Sequence, residues 1–159
     1  MVGFFDPFKE NAEKVSKEFG YKLFDSIDDL IAAVDVVDIV TPTLSHFECA
    51  KVAIEKGCHI FIEKPITKTV LEAEAIKTLA SQFHVQGQVG HVERFNPAFT
   101  AVKDKIDTPM FIESHRLAEF NPRGTDVPVV LDLLIHDIDI ILSVVDSKVK
   151  NVHASGISV

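Results

Sequence analysis

The chain has 159 residues, enough for one domain or for parts of two. Hydrophobic residues make up 47% and charged residues 25%, a mixture that builds a packed core and excludes a disordered tail. The net charge of -8 argues against a surface that tracks nucleic-acid phosphates, and no apolar run is long enough to cross a bilayer as a helix.

In chain order, Val2 to Phe5 reads as a strand and Phe8 to Phe19 as a helix stopped by Gly20. Tyr21 to Phe24 is a short strand, and Ser26 opens a brief helix through Ala33. Val36 to Val40 is nearly all apolar, the pattern of a strand covered on both faces. His46 to Lys56 is helical and ends at Gly57, His59 to Ile62 is the next strand, and Thr69 with Glu72 forms a capping box for a helix reaching about Gln82. Val85 to Val89 closes this series. Short apolar runs alternating with amphipathic helices predict βα units and a parallel sheet, hence an α/β class.

After His91 the rhythm changes. Asn96-Pro97 reads as an N-cap and first helical position, with a helix to about Lys105. Met110 to Leu117 reads as a strand, Asn121 to Pro128 as a loop, Val130 to Val145 as a long buried helix, and Val149 to Val159 as a further strand. The division predicted is residues 1–91 as a nucleotide-binding domain and 92–159 as the start of an α+β domain with a mainly antiparallel sheet. A doubly wound nucleotide-binding sheet needs a first strand running into a glycine-rich turn, and none of the seven glycines forms GxGxxG. The pattern therefore predicts an incomplete doubly wound sheet, starting after that loop in a piece of a longer protein. Cys49 and Cys58 lack CxxC spacing and read as free thiols of a reducing, cytoplasmic compartment.

Asp6, at a strand end, fits a carboxylate that accepts the adenosine ribose and selects NAD over NADP, and equally an N-cap before Pro7. Thr41-Pro42-Thr43 and Glu63-Lys64-Pro65 each follow an apolar strand at its carboxyl end, where open α/β sheets place ligands. The Lys64-Pro65 bond is one for which a cis geometry is accessible. On the long helix, Asp132, His136 and Asp139 fall at i, i+4 and i+7, one stripe that sets carboxylate and imidazole side by side. A His-Asp pair at 136–137 has no accompanying ligand cluster, so no metal is expected.

Three runs, VDIVTPTLSHFECAKVAIEKGCHIFIEKPIT, GHVERFNPAF and VVLDLLIHDIDIIL, resemble the glucose-fructose oxidoreductase / inositol dehydrogenase (Gfo/Idh/MocA) family. ERFNPAF and DVPVVLDLLIHDID resemble the branch that oxidises UDP-N-acetylglucosamine at the sugar 3-position. The resemblance implies a Rossmann fold, NAD as cofactor, a sugar or sugar-nucleotide substrate and a homo-oligomer when intact, with no nucleic-acid or membrane partner. It assigns Lys64, Asp132 and His136 to catalysis and Asp6 to the ribose of the cofactor; Thr41, Pro42, His46, Glu63 and Lys64, at or just after the strand ends, are the further cofactor candidates. The chemistry implied is hydride transfer from a secondary alcohol. His136 acts as base, Asp132 orients its ring, and Lys64 stabilises the charge on the reacting oxygen.

All three arginines, Arg94, Arg116 and Arg123, lie in the stretch leading to the long helix. They suit a phosphate-bearing substrate, contacted together with Asn96, and they equally suit carboxylate pairs that lock a domain junction. Two other readings stay open: a relative that uses NAD transiently for net hydrolysis, and a non-catalytic binding module.

Overall fold

The structure is a computed structural model that describes residues 1–117 and 127–157. It divides into two compact units. The first comprises residues 1–90 together with 127–132, and the second comprises residues 91–117 together with 133–157, counting described residues only.

In the first unit, α1 (Lys9–Phe19) ends at Gly20, whose φ of 71° is the left-handed cap that glycine adopts without a Cβ penalty. The flanking segments meet in a single parallel bridge, Phe4 to Leu23, rather than in the two full strands expected. Phe4 donates to the Lys22 carbonyl at 2.9 Å and Phe24 to the Phe4 carbonyl at 2.9 Å. A bridge of this length has no third strand among the described residues to extend it. Ser26 caps α2 (Ile27–Ile31) by accepting the Asp29 N–H, a job for a short hydroxyl side chain.

A parallel sheet follows, β1 (Val36–Ile39), β2 (His59–Glu63) and β3 (Gly87–Gly90), in the order β1-β2-β3. The connections are α3 (Thr43–Glu55) and α4 (Val70–Gln82). The capping box is present: Thr69 Oγ1 accepts the Glu72 N–H, and Glu72 accepts the Thr69 N–H at 3.0 Å. Val37, Ile39, Ile60 and Ile62 pack with Ala50, Ala53, Ile54 and Ile76 into one apolar core.

Val36 and Val40, however, are 55% and 69% exposed, so β1 is covered on one face and not on both. The topology explains this correction. Strands added in one direction through right-handed crossovers place their helices on the same side of the sheet. At the opposite end of the strands, the Cys58 thiol lies 3.3 Å from the Val34 carbonyl and 3.6 Å from that of Ile31.

In the second unit a 3-10 turn (Val92–Phe95) precedes α5 (Pro97–Lys103), capped by Asn96, whose Oδ1 accepts the Ala98 N–H at 3.0 Å. The expected strand at 110–117 and the described part of the tail at 149–157 are irregular, and no antiparallel sheet is formed among the described residues. A strand exists only by pairing, and neither segment has a neighbour to pair with among the described residues. The long helix expected over Val130 to Val145 is a π-helical turn, Val130–Leu134, followed by α6 (Ile135–Val144). It is not buried: Leu134, Ile138 and Leu142 are exposed, and within α6 only Asp139 is enclosed. No helix among the described residues is long and apolar enough to cross a membrane.

Candidate active site

Parallel strands bring their carboxyl ends to one edge. Ile39 pairs with Ile62, so the register continued by two residues sets Thr41 level with Lys64. Both turns that leave this edge contain proline, Thr41-Pro42 and Lys64-Pro65, and the second peptide bond is cis.

Lys64 is the best-defined polar group here. Its Nζ donates to the Asp132 carbonyl at 2.6 Å and to Asp132 Oδ1 at 3.2 Å. An ammonium has three N–H groups, so two are committed and one is left over among the described residues. The sequence gives Asp132 to His136, whereas the bond seen is with Lys64, 68 positions earlier in the chain. Pro128, just before the π turn, receives the Leu131 and Asp132 N–H groups at 2.8 and 3.1 Å. Widened π turns of this kind loosen carbonyls from the helical ladder and recur at functional sites.

The i, i+4, i+7 stripe assumes an uninterrupted α-helix, whereas residues 130–134 form a π-helical turn. Within the second unit, His136 is half-buried on α6 and lies close enough to Asp137 and Asp139 to favour their ionised forms.

The remaining cofactor candidates also lie in the first unit. Asp6 Oδ1 accepts the Phe8 N–H at 2.8 Å, the capping role, and no described residue uses its other oxygen. Glu63 Oε2 faces its neighbour's N–H, at 3.3 Å from Lys64 N. The Thr41 hydroxyl is buried, with the Cys49 thiol as its side-chain neighbour. Burial pushes the nearby Cys49 thiol up from its ordinary value, an effect that contact with Thr41 partly offsets. His46 is buried, with Nδ1 2.9 Å from the Pro65 carbonyl and Nε2 2.8 Å from the Thr41 carbonyl, so each ring nitrogen faces a main-chain acceptor. A buried Thr41 hydroxyl and a spare ammonium proton on Lys64, both at the carboxyl edge of a parallel sheet, fit a dinucleotide.

In the second unit, two of the three arginines make carboxylate pairs. Arg94 donates through Nε and Nη2 to Asp139 at 2.7 and 2.6 Å, and Arg116 does the same to Asp137 at 2.5 and 3.2 Å. These bonds hold both carboxyls below the usual carboxylate range. Asp137 also accepts the Ser114 hydroxyl at 2.8 Å, and His91 Nδ1 stands 3.6 Å from Asp139. Asn96 spends its side chain on Ala98 and Glu93. Arg123 lies outside the described residues. No group of three metal-ligating side chains occurs among the described residues.

Comparison with known proteins agrees with this geometry. Residues 1–91 match the model of the Gfo/Idh/MocA oxidoreductase family, described as an NAD-binding Rossmann fold. The UDP-N-acetylglucosamine 3-dehydrogenase of Acidithiobacillus ferrooxidans is 39% identical over 159 residues, 99% of this chain and 51% of the relative. Its solved structure superposes with a TM-score of 0.93, covering 100% of this chain and 53% of that one. The scyllo-inositol 2-dehydrogenase (NAD(+)) of Bacillus subtilis is 30% identical over 165 residues, 95% of this chain and 48% of the relative. The chain thus spans about half the length of these relatives.

Proposed function

The chain belongs to the Gfo/Idh/MocA oxidoreductase family, and from that premise we propose that it contributes to an NAD-dependent dehydrogenase that oxidises a secondary alcohol of a sugar nucleotide. The observation that carries the reading is Lys64, anchored twice by Asp132 with one ammonium proton to spare. Asp6 would take the ribose of NAD, and Thr41, Pro42 and Glu63 would line its path along the strand ends. Bound there, NAD supplies the hydride acceptor.

The protein's own share is position and proton handling. Lys64 donates its third N–H to the reacting oxygen and lowers the cost of the negative charge that develops there. Asp132 holds that ammonium still, so little reorganisation accompanies the reaction. His136 takes the hydroxyl proton, a task suited to an imidazole at neutral pH.

On the substrate side the proposal is an anionic group. Arg94 and Arg116 each give Nε and Nη2 to a carboxylate, and their Nη1 groups are the ones a phosphate would take. The relative named for UDP-N-acetylglucosamine supports this choice over a free polyol.

In the complete protein, Lys64→Ala and His136→Ala should each lower turnover by about 100-fold or more, with a smaller change in NAD affinity. Near-normal turnover in either variant removes that residue from the mechanism. Steady-state accumulation of NADH separates net oxidation from transient use of the cofactor. A kcat/KM for UDP-N-acetylglucosamine no higher than for the free sugar would withdraw the nucleotide.

A further inference from the structure

His46 stands on the first turn of α3 and is 1% exposed. Its two ring nitrogens face main-chain carbonyls of two different turns, Thr41 leaving β1 and Pro65 leaving β2. A carbonyl only accepts. Either neutral tautomer therefore satisfies one contact by donation, and the protonated ring satisfies both. No polar atom of the ring remains for a ligand. Other inward positions of α3 are Ala50, Ala53 and Ile54, each 0% exposed, and an apolar residue would fill this one at less cost. Burying an imidazole is unfavourable unless it is bonded, and what the ring fixes, seated between the two carbonyls, is the spacing of two adjacent strand ends at the level of Lys64.

We propose that His46 is a positioning residue that ties the Lys64-Pro65 turn to the Thr41-Pro42 turn and so sets where the Lys64 ammonium sits. The functional consequence rests on the reading of Lys64 given above, but the geometric claim is measurable without turnover. The experiment is NMR on the full chain, following solvent exchange of the Lys64 ammonium and of the His46 ring N–H.

His46→Leu removes both contacts while keeping an apolar volume. It should speed exchange of the Lys64 ammonium by about 10-fold, roughly the loss of one net hydrogen bond, and leave the α4 amides unchanged. His46→Gln, which retains a donor, should restore part of the protection. An unchanged Lys64 signal in folded His46→Leu overturns the proposal. Should His46→Leu fail to fold, the wild-type ring decides. A protected His46 N–H supports the tie, and exchange as fast as that of the exposed His84 ring overturns it. Because neither readout is enzymatic, a Lys64→Ala variant that keeps full turnover would sink the catalytic reading and leave the His46 tie standing.

Discussion

Ile54 in the first unit has no surface in water, whereas Leu142 in the second leaves 52% of its surface exposed. The same contrast runs through both units. The first unit encloses an aliphatic core between one face of β1-β2-β3 and the helices α3 and α4. In the second, the only buried residue among those described is a charged one, Asp139, bonded side-on by Arg94. One unit is stabilised by apolar area, which responds to volume. The other is tied by charge-assisted bonds, which respond to protons and salt.

Four measurements test that contrast. The largest effect belongs to the core: Ile54→Ala should cost the first unit about 2 to 5 kcal/mol, through lost transfer energy and a cavity. Denaturant unfolding followed by amide exchange in α3 and β2 reads it, and a loss under about 1 kcal/mol would mean the core collapses around the gap.

The second is electrostatic. Asp139→Asn should weaken the second unit by about 1.5 to 3 kcal/mol and leave the first unmoved. The pH dependence has a definite sign. Hydrogen bonds from Arg116 and Arg94 hold Asp137 and Asp139 below the ordinary carboxylate range. The unfolded chain, titrating near about 3.9, therefore binds those protons first. The stability from the pairs is complete above about pH 4 and drains away as pH falls through the lowered folded values. In the first unit Asp38 is shifted the other way, pushed up by partial burial and by the Glu63 carboxylate, so acid relieves it. Unit-resolved unfolding between neutral pH and pH 3 should show the second unit weakening first, and parallel curves would refute the contrast. The smallest effect is local: Thr69→Ala removes the capping box and should cost about 1 kcal/mol in the first unit alone.

The sequence makes some of this legible and not the rest. Gly20, Ser26, the Thr69 box and the Asn96 cap act within four residues, and each is visible as a short pattern with a mechanism. The turns 41–43 and 63–65 are legible as positions at the carboxyl edge of the sheet because an apolar run ends just before them. What the sequence does not show is partner choice at long range. Lys64 meets Asp132 across 68 positions, and Arg94 meets Asp139 across 45. The arginine segment permits phosphate or carboxylate, and the structure supplies carboxylates to two of the three. The π turn is invisible to a pattern that assumes 3.6 residues per turn. Strands at 110–117 and 149–157 fail for a similar reason, since β-propensity without a neighbour specifies nothing.

Cys58 gives the first unit a reporter that needs no engineering. Both cysteines of the chain are unpaired, and Cys58 is enclosed at the foot of the sheet, its S–H shared between the Ile31 and Val34 carbonyls. Burial and the Asp35 carboxylate push its thiol up, so near neutral pH it is a poor nucleophile as well as a hidden one. Alkylation at this sulfur must wait for the sheet to part from its helices. The rate of thiol capture, read by mass, is then a clock for core opening, with the half-buried Cys49 on α3 as the companion thiol in the same spectrum.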